Sequence, residues 1–253
     1  MIDPKSDLNP SSAEGQVRFS RRTNVSQAPG ALLRSLSMHR GLIVLWAVVV
    51  GGVPILVSGC SSGTITVRQP AINASSAGSQ ALAMYDKNGD GVVSGEELDH
   101  APALKEALPR LDTNGDKAVS ADEIAARVNA WKAMEIGMTS VRCHVTLDGE
   151  PLAGATVTFE PEPFLGDEIK TAIGTTNPFG DAAPTIPKDQ RPDPKLPGGI
   201  HLGLYKVRIS KMANGKETIP TRYNAQTTLG QEVSNDDPAV QRMNMPFALK
   251  SGQ

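Results

Sequence analysis

The chain has 253 residues, room for one or two domains once a leader is subtracted, and its 39% hydrophobic and 21% charged content is that of a globular protein. Only 4% is aromatic, which argues against a large aromatic-lined pocket, while 24 glycines and 19 prolines favour turns and short strands over long helices. The net charge of −2 divides into +3 before Cys60 and −5 after it, so the body lacks the basic footprint of a nucleic-acid binder and suits cations instead.

Residues 1–37 are polar, Ser-rich and without hydrophobic periodicity, and are expected to be disordered. Met38-His39-Arg40-Gly41 followed by the apolar run at 42–57 has the layout of a secretory signal peptide, which predicts that translation starts at Met38. The run is short for a membrane span and contains Gly51, Gly52 and Pro54. Val57-Ser58-Gly59-Cys60 resembles the lipobox of bacterial lipoproteins. That resemblance implies a signal peptide at 38–59, an acylated Cys60 at the new N-terminus, and an exported protein held on a membrane by lipid, periplasmic or on the cell surface. Residues 61–79 are rich in Ser, Gly, Ala and Thr, so 60–75 is expected to be a flexible tether.

The strongest signal follows, in a helical module expected at 76–136. Residues 86–97 read DKNGDGVVSGEE, and 112–123 read DTNGDKAVSADE, 26 residues later. Both fit a calcium-loop template, in which a hard cation needs about seven oxygens. In the first loop Asp86, Asn88 and Asp90 offer side-chain oxygens, Val92 its carbonyl, Ser94 a hydroxyl or a bound water, and Glu97 two oxygens. Gly91 permits the sharp turn, and Val93 is placed to pair with a sister strand. In the second loop Asp112, Asn114, Asp116, Ala118 (carbonyl), Ser120 and Glu123 take the same places, with Val119 opposite Val93. Lys117 stands where glycine is usual, and a left-handed non-glycine residue costs about 1–2 kcal/mol. The reading is therefore two Ca2+ sites, the second weaker. A short entering segment at 79–85, an exit helix from Gly95 broken by Pro102, a helix at 103–111 and another at 122–134 should flank the loops. The module resembles the EF-hand superfamily. Its short entering helix also resembles dockerin modules, which implies an alternative role in calcium-dependent docking to another envelope protein.

From Thr139 the period changes to two. Val141, Cys143, Val145 and Leu147 alternate with polar residues, and strands are expected at 155–160, 170–176, 203–210, 227–234 and 241–249. Several short strands with Gly/Pro turns suggest an antiparallel β-sandwich over 139–250, making the fold class α+β with a small helical pair before the sandwich. Residues 145–159 (VTLDGEPLAGATVTF), 174–180 (GTTNPFG), 203–209 (GLYKVRI) and 219–224 (IPTRYN) resemble carboxypeptidase regulatory-like, transthyretin-like domains of bacterial envelope lipoproteins. The resemblance implies a structural or interaction module with no catalytic set of its own. Residues 181–199 hold five prolines and read as a solvated insertion, and Glu160, Glu162, Asp167 and Glu168 as a solvated acidic face.

No catalytic motif is evident, and the chain is expected not to be an enzyme. His100, His144 and His201 lack metal-ligand spacing, and His39 lies in the leader. Cys143 and His144 are adjacent on a strand, so their side chains point to opposite faces and cannot form a nucleophile–base pair.

Overall fold

The computed structural model describes residues 67 and 69–252. The segment at 1–37, the leader at 38–59 and Cys60 lie outside the described residues. Among the described residues no helix is long and apolar enough to cross a membrane.

The first helix, α1 (Ala74–Tyr85), begins five residues earlier than its expected start at Ser79. Asn73 caps it, its side chain accepting from the Ser76 N–H at 3.0 Å, which satisfies one of the free amides of the first turn. Ahead of the cap Ile72 is buried, and Gln69 donates to the carbonyls of Trp131 and Ile136 at 3.0 Å each. The described part of the expected tether is thus docked, because an apolar side chain and a capping residue sit inside a stretch whose composition alone reads as flexible.

β1 (Val92–Val93) leads into α2 (Gly95–His100). Pro102 opens α3 (Pro102–Leu111) at its first position, where a missing N–H costs nothing. β2 (Val119–Ser120) pairs antiparallel with β1, Val93 opposite Val119, and runs into α4 (Ala121–Ala133). α1 crosses the start of α4 closely: a Cβ on Gly78 would meet the Ala121 carbonyl oxygen at 2.2 Å, so only glycine fits there.

The remaining elements are β3 (Cys143–Leu147), β4 (Glu150–Pro151), β5 (Thr156–Pro161), β6 (Ala172–Thr175), β7 (Asp181–Ala182), β8 (Gly203–Ser210), β9 (Met212–Ala213), β10 (Lys216–Glu217), β11 (Leu229–Val233), α5 (Pro238–Gln241) and β12 (Met245–Leu249). One four-stranded antiparallel sheet has the order β11-β8-β5-β6. A second has the order β12-β3-β4, with β7 also on β3, and β9 and β10 form a separate hairpin. The two four-stranded sheets touch through Phe159 and Phe247, whose ring centroids lie 6.2 Å apart, edge to face. The class is α+β, with helices and mainly antiparallel sheets.

Two expectations need correcting. Not every pairing is antiparallel: β12 lies parallel to β3, Met245 opposite Cys143, since the chain passes through α5 and returns in the direction of the first strand. The segment at 181–199 is only partly solvated. Ala182, Ile186 and Leu196 are buried, and the Arg191 guanidinium donates to the carbonyls of Ile186 at 2.8 Å and Leu196 at 3.1 Å. The helical and sheet regions, expected at 76–136 and 139–250, share one core. Leu104, Leu111 and Trp131 belong to one apolar cluster with Phe159, Val207 and Val233. The close approach is visible at Gly230 on β11, where a Cβ would meet the Pro102 carbonyl oxygen at 1.9 Å.

Candidate metal centre

Both loops are built by side chains folding back onto their own backbone. In the first, Asp86 Oδ1 accepts from the Gly89 N–H at 2.6 Å and Oδ2 from the Gly91 N–H at 3.0 Å. Asn88 Oδ1 takes the Asp90 N–H at 2.8 Å, and Asp90 Oδ1 the Val92 N–H at 3.1 Å. These turns bring the side chains of alternate residues to the inside of the loop. Glu97, eleven positions after Asp86, closes the ring: Oε1 accepts from the Lys87 and Asn88 amides at 2.8 and 3.2 Å, and Oε2 from the Ser94 N–H at 3.1 Å. The amides of Ser94 and then Lys87 hold the Glu97 carboxyl below its ordinary range.

The outcome is a group of three carboxylates. One oxygen each from Asp86, Asp90 and Glu97 lies within 4.8 Å of the others, close enough to hold a metal ion. Asn88 stays beside this group, its amide donating to Asp90 Oδ2 at 2.9 Å. Val92 and Ser94 sit at the rim, in β1 and at the N-cap of α2.

The second loop repeats the arrangement. Asp112 accepts from Gly115 at 2.6 Å and from Lys117 at 2.9 Å, Asn114 from Asp116 at 2.8 Å, and Asp116 from Ala118 at 2.8 Å. Lys117 adopts the left-handed conformation, φ +63°, as Gly91 does at φ +90°. Glu123 differs in its partners. Besides the amides of Thr113 and Ser120 it accepts both of their hydroxyls, at 3.2 and 2.9 Å. Burial pushes its carboxyl up, but the Ser120 and Thr113 bonds outweigh this and the net shift is downward. Among the described residues only the first loop draws three carboxylates together within 4.8 Å.

Several polar residues take places that composition did not signal. Glu232 on β11 is fully buried between two arginines. Glu162, expected on a solvated face, is also fully buried, its Oε2 accepting from the Tyr85 hydroxyl at 2.7 Å, with Lys206 Nζ at 3.7 Å. Its neighbour Glu160 pairs with Arg208 at 2.5 Å and is half exposed. His201 is buried, with Nδ1 accepting from the Lys170 N–H at 3.4 Å. A signal existed for the arginines alone: Arg110 and Arg127 lie close to the two ends of the second loop, on α3 and α4.

Cys143 and His144 part as strand geometry requires. The Cys143 thiol is buried against the Ala182 carbonyl and burial pushes it up to about 12, whereas His144 Nδ1 lies 2.9 Å from Asp181 Oδ1. In comparison with known protein families and with curated proteins, nothing matches this chain.

Proposed function

We propose that this chain is an exported, lipid-anchored protein of the bacterial envelope that binds two calcium ions through an EF-hand pair and carries them on a transthyretin-like β-sandwich. The observation behind this is the repetition of one loop geometry: the same side chains accept from the same backbone positions in loops 86–97 and 112–123, and the first gathers three carboxylates within 4.8 Å. The donor set is all oxygen, with carboxylates, a carboxamide and backbone carbonyls, which suits a hard cation of six to eight ligands. Asp86, Asn88, Asp90, Val92, Ser94 and Glu97 would hold one ion, and Asp112, Asn114, Asp116, Ala118, Ser120 and Glu123 the other.

Bound calcium would neutralise acids that otherwise repel one another and would tie each loop's two ends together. The role assigned to it is structural. Extracellular calcium modules bind at about 10⁻⁴–10⁻³ M, so about 1 mM external calcium keeps the sites between about half and nine-tenths filled. Anchoring through Cys60 rests on the Val57–Cys60 motif, and the sandwich is read as an interaction module without chemistry of its own, open to an envelope partner.

Calorimetry with native mass spectrometry tests the reading: two calcium ions per chain are expected. At 1 mM calcium and a Kd of 10⁻⁴ M each ion adds about 1.4 kcal/mol, so chelator should lower the melting temperature. A chain that binds no calcium and melts identically in chelator would refute it.

A further inference from the structure

We infer that Glu232 is a positioning residue for the second loop: one buried carboxylate on the sheet that sets the separation of the two helices carrying that loop's first and last ligands. The inference rests on the calcium reading of that loop.

Arg110 lies two residues before Asp112, in the last turn of α3. Arg127 lies four residues after Glu123, one turn along α4. The two side chains converge on the same carboxylate: Arg110 Nε donates to Glu232 Oε2 at 2.5 Å, and Arg127 Nε to Oε1 at 2.5 Å. A third donor, Trp131 Nε1 on α4, reaches Oε1 at 2.8 Å. Each oxygen is thus claimed by a different helix, and moving one helix against the other breaks a charge-assisted bond in a dry site.

The arginines are held from outside as well. Glu106 accepts Arg110 Nη2 with both oxygens, at 2.9 and 3.0 Å, and also takes the Glu232 backbone N–H at 2.7 Å. Asp236 accepts both outer nitrogens of Arg127 at 2.8 and 2.7 Å, and Asp237 lies 3.4 Å from Arg110 Nη2. Planar guanidinium forks gripped on two sides have little freedom to pivot. Glu232 is 0% exposed, so water does not take over its bonds when a helix shifts.

A loop held this way is set before an ion arrives. Calcium that finds Asp112 and Glu123 already at their separation loses less free energy to ordering, which offsets part of the strain at Lys117. The first loop is not served by Glu232, whose helical partners all lie on α3 and α4.

The test is a calcium titration of the full chain by amide NMR. The Gly91 and Lys117 amides, bonded to Asp86 and Asp112, report the two loops separately. In Glu232→Gln the ratio of second-loop to first-loop Kd should rise about tenfold. Val233→Ala, a cavity on the same strand, supplies the comparison, because general loss of stability should leave that ratio unchanged. A rise of at least about fivefold in Glu232→Gln, absent from Val233→Ala, supports the assignment; a smaller rise, or an equal one in Val233→Ala, overturns it. If Glu232→Gln does not fold, Arg110→Lys and Arg127→Lys, which keep charge but lose the fork, carry the same test by the same criterion. A wild-type chain whose amides ignore calcium refutes the calcium reading and this inference together, whereas wild-type loading with an unmoved ratio refutes this inference alone.

Discussion

The Tyr85 hydroxyl donates to Glu162 Oε2 at 2.7 Å, and Tyr85 stands one residue before Asp86, the first acid of the first loop. The bond ties the end of α1 to the residue that follows β5. It sits in a dry place: burial, followed by the nearby Glu162 charge, pushes the Tyr85 phenol far up, and burial likewise raises the Glu162 carboxyl. Tyr85→Phe leaves the packing intact and strips Glu162 of a donor. Urea unfolding should show a loss of about 1–3 kcal/mol, the cost of an unsatisfied buried acceptor. A loss within experimental error of zero would mean that Lys206, at 3.7 Å, takes the place of the phenol.

The two loops should respond to opposite substitutions. Glu97→Gln halves the oxygen set that Glu97 offers and removes its charge, so the first site should weaken at least tenfold in calorimetry. Lys117→Gly removes the left-handed strain at φ +63° and a positive charge near the second site. Relief of about 1–2 kcal/mol corresponds to a gain of roughly five- to thirtyfold in second-site affinity. An unchanged second site would show that the strain at Lys117 is equal in the free and loaded loop.

Gly230 tests how the helices meet the sheet. A methyl group there would lie 1.9 Å from the Pro102 oxygen and 2.2 Å from its carbonyl carbon, both backbone atoms with little room to yield. Gly230→Ala should push α3 off β11 and lower stability by about 1–3 kcal/mol or more, read as a lower melting temperature. A wild-type melt would contradict the close contact between α3 and β11.

His201 should give the protein an acid-sensitive window. Burial, with help from Lys170, lowers its imidazole to about 4. Unfolded, the same group titrates near 6.5. As pH falls from about 6.5 to about 4 the unfolded chain takes up a proton that the folded chain refuses, so stability is complete above this window and declines within it. The loss at pH 4 should be about 2–3 kcal/mol, and His201→Gln should flatten that part of the stability–pH curve. A variant whose curve keeps the wild-type slope between these pH values would assign the acid sensitivity to other groups.

The two oxygen-rich loops were legible because everything that builds them is local. Asp86 bonds to Gly89 and Gly91, and Glu97 returns only ten residues to Lys87, so residue types and spacing carry the whole arrangement. The strand at Gly203–Ser210 was legible for a similar reason, its alternation and flanking turns lying within one short window. By contrast β11 gave no warning of Glu232. Gln231, Glu232 and Val233 are all buried, one face toward the sheet core and the other toward α3 and α4, so the alternation that marks a half-buried strand is absent.

What the sequence determined by itself, then, was the pair of oxygen-rich loops, the α+β class, and the opposite orientation of Cys143 and His144. Tertiary structure alone decided that Arg110 and Arg127 meet on one carboxylate more than a hundred residues away, that Ile72 docks what composition reads as a tether, and that β12 runs parallel to β3. The physical reason is reach. A side chain folding onto its own loop depends on spacing along the chain, whereas a buried charge depends on which surfaces the whole fold brings together.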